Sequence, residues 1–389
     1  YDGQSRGESG EENSLSFELF PNLALVKTYN TDAQVPDSAG TASAMTTGVK
    51  TGIGVISQAA DQHNECYGPT KAFPKTIAEI AEVKGLATGV VSTASITHAT
   101  PAAVYAHSPS RNWEADSGIP ADKRVLGCQD IVQQLVQFSA GDGLDVALGG
   151  GKRYFYDKGY GGKREDGRDL VGEWLQKYNE GAFVTNADEL SQAAKDKDRI
   201  FGLFSSKHMA FEADRSATQE PSLTEMTSSA IDVLSRNENG YFLMVESGRV
   251  DHAHHATNAY RALTDAQEFS RAVQAAVDAV DLNETLILVT ADHSHVFTIA
   301  GYPERGNPIL GYVARSDSGT REYTNAADGK PYTTLGYHNG PNATGDERAT
   351  HTEEDVLDVD YLQETAIKMG SETHGGEDVA LFAVGPWAH

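Results

Sequence analysis

Basic side chains, long apolar runs and cysteines are all scarce in this sequence, and each scarcity excludes a class of protein. The 389 residues include 31 Lys and Arg against 56 Asp and Glu, giving a formal net charge of −25. Nucleic-acid-binding proteins need a basic surface, so this composition argues against one. No uninterrupted apolar stretch approaches the roughly 18 residues of a membrane helix. Residues 1–14 are polar and acidic, without the basic-then-apolar pattern of a signal peptide.

The two cysteines, Cys66 and Cys128, give little information by themselves. Composition leaves open two free thiols or one disulfide, and a disulfide would close a long loop of the unfolded chain.

The net negative charge of the protein would repel an anionic substrate. Metal ions or a local arginine would have to reverse the potential at the site of such a substrate.

Helix-like and strand-like segments alternate along the chain. Hydrophobic periods predict helices at 75–85, about 129–139, 223–234 and 259–280, and strands at 87–93, 145–148, 241–245 and 285–290. This alternation favours an α/β fold in three layers, α/β/α, with a large central, mainly parallel sheet. From residue 301 to about 370 we expect an irregular insertion with short strands. No clear linker divides the chain, so a single domain over 1–389 is predicted.

Ionisable and hydroxyl side chains follow several predicted strands. Glu246 follows strand 241–245, Asp292 and His293 follow strand 285–290, and His98 and Thr100 follow strand 87–93. Ligands of parallel sheets bind beyond the carboxyl ends of the strands, so these groups are expected to converge at one edge. Their oxygen and nitrogen atoms suit more than one kind of divalent cation.

The segment after Glu246 contains further metal-ligand residues. If a helix begins after residue 250, a spacing of four places Asp251 and His255 on one face, able to chelate one ion. The neighbouring His252 and His254 could be polar filler or could support the ligands. Near the C-terminal end, His374 supplies another imidazole.

Ser38 precedes a run of small residues that predicts a helix. Asp37 and Ser38 could merely cap that helix. Alternatively, Ser38 is a nucleophile at a helix N-terminus, where backbone N–H groups attract phosphate. A serine hydroxyl is a weak nucleophile at neutral pH, and a zinc ion bound to its oxygen would activate it without a histidine base. Together with the clustered ligands, this serine indicates a hydrolase.

Four segments resemble the alkaline phosphatase family: VPDSAGTA at 35–42, ESGRVDHAHH at 246–255, TADHSH at 290–295 and ETHGGED at 372–378. His98 before Thr100, the segment RNW at 111–113 and the two cysteines resemble its animal-type branch. The resemblance implies that Ser38 becomes phosphoserine and that Arg111 clamps phosphate oxygens. It implies these metal ligands: Asp251, His255 and His374 for a first zinc, Asp292 and His293 for a second zinc, and Glu246 and Thr100 for magnesium, with His98 close by.

The same resemblance implies hydrolysis of phosphate monoesters to alcohol and inorganic phosphate, with an alkaline pH optimum. It further implies a Cys66–Cys128 disulfide, an extracytoplasmic location and a homodimer with residues 301–370 at its interface. Another hydrolase of the same superfamily, such as a phosphodiesterase or sulfatase, is an alternative that Ser38 and Arg111 argue against. A non-catalytic metal-binding protein is the other alternative.

Three departures from the family pattern stand out. The family's first strand ends in an aspartate that bridges the second zinc and the magnesium, farther before the serine than the 37 residues available here. The sequence also ends at His389, before the family's last helix, so we expect both ends to be missing and each of those two sites to lack one ligand. Ser205 stands where the animal-type branch has a glutamate for calcium, which makes a calcium site doubtful.

Overall fold

Parallel strand pairing organises the centre of the computed structural model, which describes residues 1–8, 10–62, 66, 73–317, 319–343 and 348–389. The strands are β1 (Asn22–Val26), β2 (Ala87–Ser95), β3 (Val146–Gly150), β4 (Ala182–Val184), β5 (Ile200–Leu203), β6 (Tyr241–Glu246), β7 (Ile287–Thr290), β8 (Ser294–His295), β9 (Phe297–Ile299), β10 (Ala314–Asp317), β11 (Thr320–Tyr323), β12 (Leu335–Gly340), β13 (Thr365–Lys368), β14 (His374–Gly375) and β15 (Val379–Val384). The helices are α1 (Asp2–Ser5), α2 (Ser38–Thr47), α3 (Ile77–Val83), α4 (Ala99–Tyr105), α5 (Ala121–Val125), α6 (Ile131–Gln137), α7 (Leu170–Lys177), α8 (Ala187–Ala193), α9 (Leu223–Leu234), α10 (Arg249–His255), α11 (Ala259–Ala279) and α12 (Glu353–Leu357).

The central sheet has the strand order β4-β5-β3-β2-β6, and every pairing in it is parallel. Strand β2 is buried along its whole length, as expected when helices cover both faces. Val90 packs into a core with α3, α4, α6 and α7, whereas its neighbour Val91 packs into a second core with α8, α9 and α11. The predicted three-layer α/β architecture is confirmed.

Local sequence patterns predicted several elements to within a few residues. Helix α9 spans the predicted 223–234, and its start is fixed by a capping box in which Ser222 and Glu225 exchange hydrogen bonds. Helix α3 begins at a similar box formed by Thr76 and Glu79. It ends before Gly85, whose φ of +76° lies in the left-handed region that glycine adopts without strain.

Strand β7 differs from the prediction of one mainly parallel sheet. It pairs antiparallel with β15, which also pairs antiparallel with β1, so these three strands form a separate sheet. The hydrophobic period of residues 285–290 predicts a strand but carries no information on its partner, which lies about 90 positions away in sequence.

The predicted insertion contains short strands, as expected. β9, β12 and β13 form one small sheet, and β10 and β11 form a hairpin. Residues 318 and 344–347 of the predicted insertion lie outside the described residues. The single-domain division over 1–389 stays a prediction.

A disulfide joins Cys66 to Cys128, with Cα atoms 5.1 Å apart, and this decides between the two alternatives that composition left open. Cys128 is buried against Trp113 and Ile119, in the region that follows Arg111. None of the described helices is both long enough and apolar enough to cross a membrane.

Glu82 is a buried carboxyl at the opposite edge of the sheet from the predicted site, next to Thr88 at the start of β2. Burial raises the pKa of Glu82 from 4.5 to about 7, assisted by the charges of Asp145 and Asp142. The folded protein therefore keeps a proton that the unfolded chain releases. The resulting stabilisation is complete below about pH 4.5 and is lost as the pH rises through about 7.

We expect Glu82→Gln to stabilise the protein above pH 7, because the amide cannot ionise. The gain is at most about 3.5 kcal/mol, from about 1.4 kcal/mol per pKa unit. Thermal unfolding measured from pH 5 to pH 9 should show a flatter profile for this variant than for the wild type. Glu180→Gln, at an exposed position, is the control. Parallel profiles for Glu82→Gln and wild type would contradict the assignment.

Candidate metal centre and phosphate site

The site lies where β2 and β6 end. These neighbouring strands run in parallel with Ser92 opposite Glu246, so the chain leaves both strands at the same edge of the sheet. The segment after β2 leads to His98, the N-cap of α4. Three residues after β6, the helix α10 begins and presents Asp251. Strand β7 belongs to another sheet but also ends at this site. It is followed by Asp292 and His293, which therefore lie close to the ends of β2 and β6.

Ser38 is the first residue of α2 and is only 6% exposed. Its Oγ lies 3.0 Å from Nε2 of His293. Burial lowers the pKa of His293, so the ring is neutral near pH 7 and its Nε2 can accept a hydrogen bond from the Ser38 hydroxyl. Asp37 caps the helix by accepting from the Gly40 N–H at 3.1 Å. The cap is therefore Asp37, which leaves the Ser38 hydroxyl free for the site.

Gly40 leaves room for the side chain of Asn30. A Cβ at this position would lie 2.4 Å from Oδ1 of Asn30. Asn30 in turn donates from Nδ2 to Asp37 Oδ1 at 3.0 Å. The absent side chain thus lets Asn30 reach the capping carboxylate.

Arg111 is held by two residues near the serine. Its Nη1 donates to Asp37 Oδ2 at 3.1 Å, and its Nη2 donates to His98 Nε2 at 3.1 Å. Burial, with the nearby charge of Arg111, holds the pKa of His98 well below its usual value. A neutral His98 can accept this hydrogen bond. The family resemblance implied that His98 lies near magnesium, but the contact of His98 with Arg111 and the Arg111–Asp37 ion pair were not predicted.

Asp251 is the hub of an imidazole cluster. Its Oδ1 lies 3.4 Å from Nε2 of His255, 3.3 Å from Nε2 of His374, 3.0 Å from Nε2 of His295 and 3.9 Å from Nε2 of His293. Burial opposes ionisation of this carboxyl. The hydrogen bonds and charges of the surrounding histidines outweigh it and hold the pKa of Asp251 well below its usual range. Asp251, His293, His295 and His374 are close enough to bind one metal ion together.

Two of these imidazoles direct lone pairs at each other. The Nδ1–H of His374 donates to the Pro36 carbonyl at 2.8 Å, and the Nδ1–H of His255 donates to the Glu372 carbonyl at 2.7 Å. Their Nε2 atoms are therefore unprotonated in the neutral rings, yet they lie 3.1 Å apart beside Asp251. A cation among these three groups would turn this repulsion into coordination, so the donor set fits zinc.

His295 and Glu372 were missed as site residues, although both lie in segments that carried the family resemblance. Glu372 Oε2 lies 2.8 Å from His295 Nδ1. Burial opposes protonation of His295, but the carboxylates of Asp251 and Glu372 prevail and raise its pKa to about 9. The spacing of two from His293 and from His374 was a usable signal, because alternate residues of an extended segment share a face.

Glu246 and Thr100 form an oxygen-rich group beside this cluster. Glu246 contacts the hydroxyl of Ser92. Burial, with the charges of Asp292 and Asp251, raises the pKa of Glu246 to about 7. The buried Thr100 Oγ1 lies near this carboxylate and has no hydrogen-bond partner of standard geometry among the described residues. Hydroxyl and carboxylate oxygens with an unmet bonding capacity fit a hard cation such as magnesium.

Asp292 points toward α2. Its Oδ2 lies 3.4 Å from Thr41 Oγ1 and 3.3 Å from Nε2 of His293. The predicted pair Asp292 and His293 therefore lies next to Ser38. Ser205 stands where the animal-type branch has a glutamate for calcium, and it lies beside the Glu220 carboxylate, which accepts from the Ala210 N–H at 2.7 Å.

The chain is similar over its whole length to known proteins of one family. A family model described as alkaline phosphatase matches residues 1–389. An alkaline phosphatase of Gadus morhua is 41% identical over 404 residues, covering 100% of this chain and 83% of the relative. The tissue-nonspecific isozyme of alkaline phosphatase of Homo sapiens is 41% identical over 406 residues, covering 100% of this chain and 75% of the relative.

Solved structures give the same result. The structure of alkaline phosphatase from the Antarctic bacterium TAB5 superposes with a TM-score of 0.65 at 25% identity, covering 97% of this chain and 86% of the other. A mutant of that TAB5 enzyme contains Mg bound in a site designated M3.

Proposed function

This chain belongs to the alkaline phosphatase family, whose members are metal-dependent phosphomonoester hydrolases, and we propose that it cleaves its substrate through a phosphoserine on Ser38. The proposal includes two zinc ions and one magnesium ion as cofactors and an alkaline pH optimum. Asp251, His255 and His374 would hold the first zinc, Asp292 and His293 the second, and Glu246 and Thr100 the magnesium.

The observation that carries this proposal is the proximity of Ser38 to the ligand clusters. The Ser38 hydroxyl lies 3.0 Å from His293 Nε2, and His293 is 3.9 Å from Asp251, at the centre of the imidazole cluster. When bound at these positions, divalent cations would lower the pKa of the Ser38 hydroxyl and offset negative charge on the phosphoryl group and leaving oxygen. These residues fit metal ions for two reasons. The Nε2 lone pairs of His255 and His374 converge beside Asp251, and the buried Thr100 hydroxyl lacks a hydrogen-bond partner among the described residues.

In the first step, Ser38 Oγ attacks phosphorus in line with the leaving alkoxide. An Oγ–P bond forms, the ester P–O bond breaks, and the serine proton is released as the alcohol takes one up. In the second step, water attacks phosphorus, the Oγ–P bond breaks, and Ser38 regains a proton as inorganic phosphate leaves. Ser38 lies at the N-terminus of α2, where backbone N–H groups favour an anionic group.

Arg111 supplies a planar cation for the phosphoryl oxygens. In this structure its guanidinium is shared between Asp37 and His98, which fixes it close to the serine. Its two terminal nitrogens can hydrogen-bond two phosphate oxygens together. A local arginine and metal ions also overcome the repulsion that a net charge of −25 imposes on an anionic substrate.

Hydrolysis of p-nitrophenyl phosphate, measured with and without a metal chelator, tests the proposal. We expect release of p-nitrophenol to cease on chelation and to return when zinc and magnesium are restored. Activity that persists without metal would contradict the metal-assisted mechanism. A preference for bis-p-nitrophenyl phosphate over the monoester would favour a diesterase instead.

We also propose a homodimer with residues 301–370 at its interface, and an extracytoplasmic location. The Cys66–Cys128 disulfide supports the location, since disulfides persist in oxidising compartments. Small phosphate monoesters are the proposed substrates. Nucleic acid is not a proposed partner, because the surface is strongly acidic.

A further inference from the structure

We propose that Asn30 is a positioning residue that fixes the Asp37 carboxylate and thereby keeps the guanidinium of Arg111 available to phosphate. The inference rests on the proposed function, in which Arg111 binds the phosphoryl oxygens of the substrate. Asn30 lies outside the segments that carried the family resemblance, and the proposed mechanism gives it no role. The residue is only 4% exposed, so its side-chain amide has to find hydrogen-bond partners inside the protein.

The Asp37 carboxylate accepts hydrogen bonds at both of its oxygens. Oδ1 accepts from Asn30 Nδ2 at 3.0 Å and from the Gly40 N–H at 3.1 Å. Oδ2 accepts from the Gly54 N–H at 3.0 Å and from Arg111 Nη1 at 3.1 Å. Two of these four donors are backbone groups, and a third is the arginine that the carboxylate holds. The fourth, Asn30, is thus the side chain that sets the orientation of the carboxylate.

The main chain of Arg111 is tied to the same carboxylate. The Arg111 N–H donates to the Gly54 carbonyl at 2.7 Å, and the Gly54 N–H donates to Asp37 Oδ2. The guanidinium donates to that same oxygen. Both the backbone and the charged group of Arg111 therefore depend on how the Asp37 carboxylate is turned.

The amide of Asn30 has little freedom to rotate. Its backbone N–H donates to the Ala33 carbonyl at 3.1 Å. Its side chain occupies the space beside Gly40, where a Cβ would lie 2.4 Å from Oδ1 and 2.6 Å from Nδ2 of the asparagine. Nδ2 has to face Asp37, because an amide oxygen in that place would oppose the carboxylate oxygen. A buried and confined amide therefore holds Oδ1 of Asp37.

The occupied Oδ1 restricts Arg111 to one oxygen of Asp37. A guanidinium and a free carboxylate tend to pair through two parallel hydrogen bonds. Here Nη1 of Arg111 bonds Oδ2 of Asp37, while Nη2 donates to His98. The single bond to Asp37 orients the guanidinium without enclosing it, so that its planar fork can still engage phosphate oxygens. Loss of the Asn30 amide would let the carboxylate turn and pair more fully with Arg111, at the expense of phosphate.

Competitive inhibition by inorganic phosphate tests the proposal on the metal-loaded enzyme. For Asn30→Ala we expect the inhibition constant for phosphate and KM for p-nitrophenyl phosphate to rise about tenfold, the size of a lost hydrogen bond to a charged group. Because Arg111 binds phosphate before and during the reaction, kcat should change by less than about threefold. Zinc and magnesium content should match the wild type. Asn179→Ala, at an exposed position, is the matched control.

A merely structural role of Asn30 predicts a different result. Loosened packing around Asn30 would lower the fraction of active enzyme or its metal content, so kcat would fall while KM and the phosphate inhibition constant stayed unchanged. That result would overturn the proposal.

Asn30→Asp keeps the shape of the side chain and keeps the test decisive should Asn30→Ala fail to fold. Its carboxylate, ionised at the alkaline pH of the assay, would oppose Asp37 and should weaken phosphate binding at least as much. In an Arg111→Ala background neither change should weaken phosphate binding further, since both act through that arginine. Unchanged phosphate affinity in either folded variant, or losses that add to that of Arg111→Ala, would contradict the proposal. Failure of the proposed function is seen separately, as an Arg111→Ala enzyme that binds phosphate as tightly as the wild type, and would overturn both.

Discussion

Ser38→Ala is expected to lower kcat for p-nitrophenyl phosphate by roughly 10⁵–10⁶-fold, as when a covalent nucleophile is deleted from other hydrolases. Without Oγ no phosphoserine can form, and water would have to attack the ester directly. The effect should be confined to catalysis, because the only side-chain hydrogen bond of the Ser38 hydroxyl among the described residues is to His293. Zinc and magnesium content should therefore stay close to that of the wild type.

Acid quenching during turnover of a ³²P-labelled monoester measures the phosphoenzyme directly. The wild type should retain label on Ser38, and Ser38→Ala should retain none. Ser235→Ala, at an exposed position after α9, controls for the loss of a serine elsewhere. Labelled protein in the Ser38→Ala variant would rule out this serine as the nucleophile, and so would a fall in kcat of less than tenfold.

Asp251→Asn is expected to lower kcat/KM by about 10³-fold, which corresponds to about 4 kcal/mol of transition-state stabilisation. The amide is neutral and a poor ligand for zinc. It also removes the charge on which four imidazoles converge. We expect the purified variant to contain one zinc equivalent fewer than the wild type, with partial recovery of activity at high zinc concentration.

Elemental analysis and kinetics on the same preparation test this expectation. Asp232→Asn, on an exposed face of α9, is the control for a lost carboxylate. An Asp251→Asn enzyme with full zinc content and near-normal kcat/KM would show that the first zinc lies elsewhere. The comparison with Ser38→Ala is informative, because one variant should lose metal and keep its nucleophile while the other does the reverse.

The helices and strands predicted best are those whose boundaries are set by residues close to them in sequence. Helix α9 matches its predicted span because the capping box at Ser222 and the hydrophobic period both lie within the segment itself. The pair Asp251 and His255 was placed on one helix face for the same reason, and the structure brings them to 3.4 Å. Spacing along a helix is fixed by local geometry.

The partner of β7 was not predictable in this way. A strand period is compatible with parallel or antiparallel pairing, and β15 was not recognised at all. His295 and Glu372 were overlooked because the residues that they contact are set by tertiary structure. The antiparallel pairing of β8 with β14 sets His374 opposite His295, and His295 also contacts α10.

The sequence alone determined the kinds of side chain available, the helices and strands that carry them, and their likeness to a metal-dependent phosphatase. Short-range geometry is enough for those conclusions. Tertiary structure decided that Asp37 caps α2 while binding Arg111, and that Ser38 meets His293 across 255 positions of sequence. Such contacts depend on how buried layers pack, and no local period encodes the distance between two residues on different layers.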